Sequence, residues 1–306
     1  MKKRSFFAGL LLAAYVLSGC GASSASVQSG AQPPPVQRLT PAADDGIYTE
    51  PEGFADRQPG RTYGEVVTVS YPDARGASRT AKVALPAGYH ESTSYPVVYL
   101  LHGIHATVDT WIGMDAPVIA ENLYAEGKAK QMILVSVDSF LLPGVEESTA
   151  GLKDLVTGYD NIEGDLIGYL MPYIESHFSA AKGRGSTAIA GFSMGGREAL
   201  GIAFRHPELF GYIGGFSSAS GVVKSTGHTD FPSLINDFTI DEAYGGFGAI
   251  VLDVGISDDV CKDASYEYAD RLTANGFQPV FYDREGGHEG IIWQSGFYQF
   301  ARRIFA

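Results

Sequence analysis

A serine between glycines stands at Gly191-Phe192-Ser193-Met194-Gly195, a G-x-S-x-G pattern. By itself the pattern is weak, because a chain with 38 glycines meets it by chance easily. Its setting gives it weight. The apolar run at 186–191 (STAIAG) leads straight into it, and a helix-forming run at 197–205 (REALGIAFR) follows. Strand, sharp turn and helix in that order form a nucleophile elbow, which lifts the serine hydroxyl off the end of a sheet. Glycines belong on both sides of such a serine, since a Cβ there would strike neighbouring backbone.

A serine hydroxyl is a poor nucleophile at neutral pH and needs a base, itself oriented by an acid. After an elbow the chain order is serine, carboxylate, histidine. Of seven histidines, only His206, His228 and His288 follow Ser193. His206 falls in the turn closing the next helix, and His228 in a polar loop with no strand before it. His288, in Gly286-Gly287-His288-Glu289-Gly290, comes directly after the last strand-forming run. Ligands meet an open α/β sheet at the carboxyl ends of its strands, so His288 is the expected base. Asp258 is the first carboxylate past the preceding strand and the expected acid. Asp259 is second, and Asp253, still inside the strand, third. The oxyanion of an acyl-transfer intermediate needs backbone donors. The Met194 N–H is one. Ile104, in the loop after an early central strand, is the other, with His105 its neighbouring alternative. His102-x-x-His105 has the spacing of a metal pair, but no third ligand is evident and a triad needs no metal. Neither a metal nor a cofactor is expected.

The elements that must position these groups follow from the apolar periodicity. Short β-rich runs at 65–71 and 80–85 read as an opening antiparallel pair. Continuous apolar runs at 96–101, 132–137, 186–191, 211–216 and 249–254 read as strands buried on both faces, with a last strand at 279–282. Helices are expected at 116–127, 160–178, 197–205, 262–275 and 291–305. Strands alternating with helices give an α/β chain, a mostly parallel sheet flanked by helices in a single catalytic domain. Hydrophobic residues are 45% of the 306, enough for one large core and too many for a disordered chain. The net charge of −13 repels phosphate backbones and excludes a nucleic-acid partner. Two cysteines, Cys20 and Cys261, cannot build a disulfide framework.

The amino terminus sets the expected compartment. Lys2, Lys3 and Arg4 precede a twelve-residue apolar stretch at 6–17, too short to span a bilayer of about 30 Å. Leu17-Ser18-Gly19-Cys20 then resembles the lipobox of bacterial lipoproteins. That resemblance implies a signal peptide at 1–19, lipidation of Cys20 and an exported protein held to the outer face of a membrane through its lipid only. Residues 20–60, rich in Ser, Ala and Pro, read as a flexible tether, and 61–306 as the folded domain.

Further motifs carry a family resemblance. Leu85-Pro86-Ala87-Gly88-Tyr89, Tyr95-Pro96-Val97-Val98-Tyr99-Leu100-Leu101-His102-Gly103 and Trp111 resemble the opening of the esterase D-like α/β-hydrolases. Ala190 to Gly196, His206-Pro207-Glu208-Leu209-Phe210, and Gly287-His288 followed by Trp293 extend the likeness. Within that group the chain is most similar to carbohydrate esterase family 1, the feruloyl and acetylxylan esterases. The resemblance implies an α/β-hydrolase fold, a Ser193–Asp258–His288 triad, Ile104 and Met194 as oxyanion donors, and a small-molecule or oligosaccharide ester as substrate. A mycolyltransferase-like acyl transfer and a non-catalytic binding module are the alternatives. Tyr159, Trp111 and Trp293 are candidates to line an aromatic acyl slot. The stretch 140–158 and Glu289 depart from the family pattern.

Overall fold

In the computed structural model, which describes residues 36–224 and 231–305, an antiparallel hairpin opens the fold. Strand β1 (Val66–Pro72) pairs with β2 (Ser78–Ala84), Val67 facing Val83. Only alternate residues of β1 are buried, as befits an edge strand with one wet face. The chain continues through β3 (Val97–Leu101), the short α1 (Thr110–Gly113), α2 (Ala116–Ala125) and β4 (Ile133–Val137). Next come α3 (Leu152–Asp160), α4 (Ile162–Asp165) and α5 (Met171–His177), then β5 (Thr187–Phe192), α6 (Met194–Arg205) and β6 (Tyr212–Phe216). β7 (Ala249–Gly255), α7 (Lys262–Ala274), β8 (Val280–Arg284) and α8 (Gly290–Ala301) complete it.

The eight strands form one sheet in the order β1-β2-β4-β3-β5-β6-β7-β8. β2 joins β4 antiparallel, and every pairing from β4 to β8 is parallel. This is the α/β-hydrolase arrangement that the family resemblance implies. β3 through β7 are buried along their whole lengths, which is why they read as unbroken apolar runs. Successive side chains alternate between two cores. Val97, Tyr99 and Leu101 face one and Val98 and Leu100 the other. All the parallel strands end on one edge, so the loops after β3, β5, β7 and β8 meet there.

Two expectations need correction. The helix expected at 160–178 begins at Leu152 and is not continuous, passing through a π turn at Leu166–Leu170. Pro172 has no N–H to give to the carbonyl four residues back, and the wider turn absorbs that missing bond. The segment 36–60 is not a free tether but an arm lying on the domain. Tyr48 stacks on Tyr282 with centroids 5.2 Å apart. Asp45 pairs with Arg302 and Arg303, each at 2.5 Å. Glu50 bonds the Arg284 guanidinium at 2.8 Å, the Ser295 hydroxyl at 2.5 Å and the Gln299 amide at 3.1 Å. The Asn122 amide donates to the carbonyls of Phe54 and Asp56. An arm fixed by single side chains along irregular backbone has no period to read. Residues 1–35, with the expected signal peptide, Cys20 and the rest of the tether, lie outside the described residues.

Glu50 ties the arm to both elements that flank the loop of His288, and its side chain is 3% exposed. Glu50→Ala strands the Arg284 charge and two polar donors. It is expected to cost about 2–3 kcal/mol in urea unfolding. An unchanged midpoint would contradict the arm's role in the fold.

Candidate active site

Strand β5 delivers Ser193 into a turn that ordinary residues avoid, with φ 54° and ψ −123°. Such a conformation costs about 1–3 kcal/mol and persists only where its surroundings hold it. Here the Ser193 N–H donates to the Phe216 carbonyl at 3.0 Å, and the Ser193 carbonyl accepts from Ala219 and Arg197 at 3.0 and 3.1 Å. The turn is also too tight for side chains on either side. A Cβ on Gly191 would stand 2.3 Å from the Gly195 carbonyl, and one on Gly195 would stand 2.3 Å from the Leu101 carbonyl.

Ser193 meets the two other predicted groups directly. His288 Nε2 lies 3.0 Å from Ser193 Oγ, and its Nδ1 lies 2.9 Å from Asp258 Oδ2. An ionised carboxylate only accepts, so Nδ1 carries the ring proton of the neutral imidazole and Nε2 is left to accept from the serine. Asp258 is wholly buried, and its other oxygen accepts the amides of Val260 and Cys261 at 2.9 and 2.8 Å. Burial alone would raise its carboxyl. The bond from His288 and the Cys261 amide outweigh that and hold it below the ordinary aspartate value. Asp259 is exposed. Asp253 is sealed inside β7, where burial pushes its carboxyl well above the usual range, and its Oδ2 accepts from the Tyr282 hydroxyl at 3.4 Å.

Trp293 stacks on Phe192 with centroids 4.0 Å apart and meets the His288 ring edge-on at 5.2 Å. Glu289 holds the histidine loop by accepting the Gly287 amide at 2.8 Å. Trp111 does not line a slot: it is fully buried in the core and donates its indole N–H to the Leu101 carbonyl at 3.0 Å. His206 bonds Glu163 and Glu208, away from the serine. His228 lies outside the described residues.

Neither the Ile104 amide, in the loop after β3, nor the Met194 amide, at the start of α6, donates a hydrogen bond among the described residues. The His105 amide, the alternative donor, is taken by Glu147 Oε1 at 2.8 Å. His102 and His105 do not form a ligand pair. The His102 ring accepts the Ser139 amide at Nε2, 3.0 Å away, which puts its proton on Nδ1, facing the Gly103 carbonyl at 2.9 Å. Asp258, Cys261 and His288 offer metal-type donor atoms within 4.8 Å of one another. The His288–Asp258 bond already occupies two of them. The Cys261 thiol is raised, first by burial and then by the Asp258 charge, so it does not become a thiolate readily.

Near the serine, Phe140 and Glu147 carry no recognisable signal in the sequence, and Tyr159 reads there only as a candidate wall of an acyl slot. Cys261 joins Tyr159, Met194 and Ala219 in a small buried apolar cluster at the elbow, with Ile104, Phe140 and Phe231 packed against it. Tyr159 is fully buried, and its hydroxyl reaches Gly103 O at 2.6 Å and Glu147 Oε1 at 2.8 Å. Phe140 and Glu147 belong to the stretch 140–158 that departs from the family pattern. Its lack of period conceals contacts made over long sequence distances.

A protein-family model described as "Putative esterase" matches residues 73–303. An endo-1,4-beta-xylanase/feruloyl esterase of Xylanibacter ruminicola is 29% identical over 277 residues, 87% of this chain and 34% of that protein. An esterase of Mycobacterium tuberculosis is 32% identical over 183 residues, 60% of this chain and 36% of that protein. The chain thus spans about a third of the length of the curated relatives it matches. Among solved structures, a carbohydrate esterase family 1 ferulic acid esterase of Anaeromyces mucronatus in complex with ferulic acid superposes with a TM-score of 0.76. It is 32% identical, over 85% of this chain and 97% of that one.

If Asp258 orients the base, Asp258→Asn is expected to lower kcat on p-nitrophenyl acetate by about 10³–10⁴-fold, because an amide favours the wrong imidazole tautomer. Asp259→Asn should stay within about twofold of the wild type. A larger loss at Asp259 would overturn the assignment.

Proposed function

The chain belongs to the esterase family that matches its residues 73–303, close to carbohydrate esterase family 1, and from that premise we propose that it cleaves carboxylic esters through an acyl-enzyme on Ser193. The observation that carries this reading is the unbroken line Ser193–His288–Asp258, at 3.0 and 2.9 Å. His288 takes the hydroxyl proton as Ser193 Oγ attacks the ester carbonyl. The amides of Met194 and Ile104 receive the oxyanion, and the histidine returns the proton to the leaving alcohol. Water, activated by the same imidazole, then releases the acid and frees the serine.

Feruloyl or acetyl esters on plant cell-wall carbohydrate are the proposed substrates. The likeness to the Xylanibacter and Anaeromyces proteins supports the feruloyl choice, as do the partly buried apolar side chains of Ile104, Phe140 and Phe231 beside the elbow. The basic residues 2–4, the apolar stretch 6–17 and Cys20 support export as a lipoprotein. A catalytic domain held at the outer face of a membrane would meet polymer fragments there.

Methyl ferulate and a short-chain acetyl ester, assayed side by side, test the substrate. Wild-type turnover of ferulate that falls by about 10⁵-fold in Ser193→Ala is the expected result. Turnover of the acetyl ester alone would contradict the feruloyl reading, and activity surviving in Ser193→Ala would contradict the acyl-enzyme.

A further inference from the structure

The peptide unit between Gly103 and Ile104 is planar and trans, so its C=O and N–H point in opposite directions. Whatever grips the Gly103 oxygen therefore aims the Ile104 amide. Three donors grip it. The Tyr159 hydroxyl lies at 2.6 Å, His102 Nδ1 at 2.9 Å and the Ala106 amide at 3.2 Å. The following peptide is fixed as well, since the His105 amide donates to Glu147 Oε1 at 2.8 Å. That bond holds His105 at φ 60°, a left-handed conformation rare for residues other than glycine. The same Glu147 oxygen lies 2.8 Å from the Tyr159 hydroxyl, whose single proton is shared between the carboxylate and the carbonyl.

Given the ester cleavage proposed above, we propose that Tyr159 and Glu147 are positioning residues for the oxyanion donor. Tyr159 orients the Ile104 N–H by holding the carbonyl of the same peptide. Glu147 takes the next amide out of competition and braces the tyrosine. Donors on a carbonyl also polarise its peptide, which strengthens the N–H at the other end. Tyr159 is therefore more than an aromatic wall, and the stretch 140–158 supplies one part of the oxyanion site.

Tyr159→Phe removes one hydroxyl and keeps the ring against His102 and Phe140. On p-nitrophenyl acetate its kcat is expected to fall about 10–100-fold with KM within twofold, less than the loss of a whole oxyanion donor. Glu147→Ala should fall similarly, whereas Glu147→Gln, which keeps an oxygen for the His105 amide, should retain most of kcat. The Ile104 amide resonance, assigned through Ile104→Val in ¹⁵N-isoleucine-labelled protein, should shift in Tyr159→Phe. This readout needs no turnover. An unshifted amide, an unchanged kcat in Tyr159→Phe, or Glu147→Gln as impaired as Glu147→Ala would overturn the proposal. A wild-type protein inert on every ester would count against the ester reading alone, and the amide shift would still decide the positioning role.

Discussion

The backbone of Ser193 has to hold a conformation that its own chemistry disfavours, and much of the sheet's active edge is built around that requirement. The hydrogen bonds that secure the turn come from Phe216 at the end of β6, from Ala219 just beyond it and from Arg197 in the first turn of α6. Strain at one residue is thus spread over neighbouring elements that are themselves buried, α6 in all but its last residue, Arg205. Because the turn is sharp, the hydroxyl stands clear of β5 while the Met194 amide starts the helix with no partner among the described residues. The proposed nucleophile and one of the proposed oxyanion donors come from the same constraint.

The parallel sheet converts that local geometry into a site. β7 and β8 are hydrogen-bonded neighbours, so the loops that follow them place Asp258 and His288 side by side although 30 residues separate them. The acid is buried and ionised, the histidine is only partly covered, and the serine lies beyond it. Charge is deepest where protein donors can satisfy it and shallowest where the proposed substrate would enter. The amino-terminal arm adds a brace behind this edge. Glu50 bonds β8 through Arg284 and α8 through Ser295 and Gln299, and the loop of His288 runs between those two elements.

The sequence made the strands legible because β3 to β7 are buried on both faces and leave continuous apolar runs. Ser193 and His288 were legible for a related reason, as each sits where such a run stops at a glycine-rich turn. Asp258 followed from the strand before it. What stayed hidden depends on contacts that no local pattern records. Glu147 reaches the His105 amide across 42 residues, and Tyr159 reaches the Gly103 carbonyl across 56. Glu50 finds its arginine across 234. Residues 36–60 looked like a tether because a segment anchored by a few side chains has neither a helical nor a strand period. Pro172 stands inside the stretch read as one helix, and nothing in the order of residues around it showed that a π turn would bridge the fault.

The covalent intermediate is the centre of this account, and mass spectrometry of the protein quenched with acid during turnover of a feruloyl ester reads it directly. The predicted result is one feruloyl group on the peptide that carries Ser193, appearing during turnover and gone once substrate is exhausted. An acyl group on any other residue, or steady wild-type turnover with none found on Ser193 at any quench time, would contradict it.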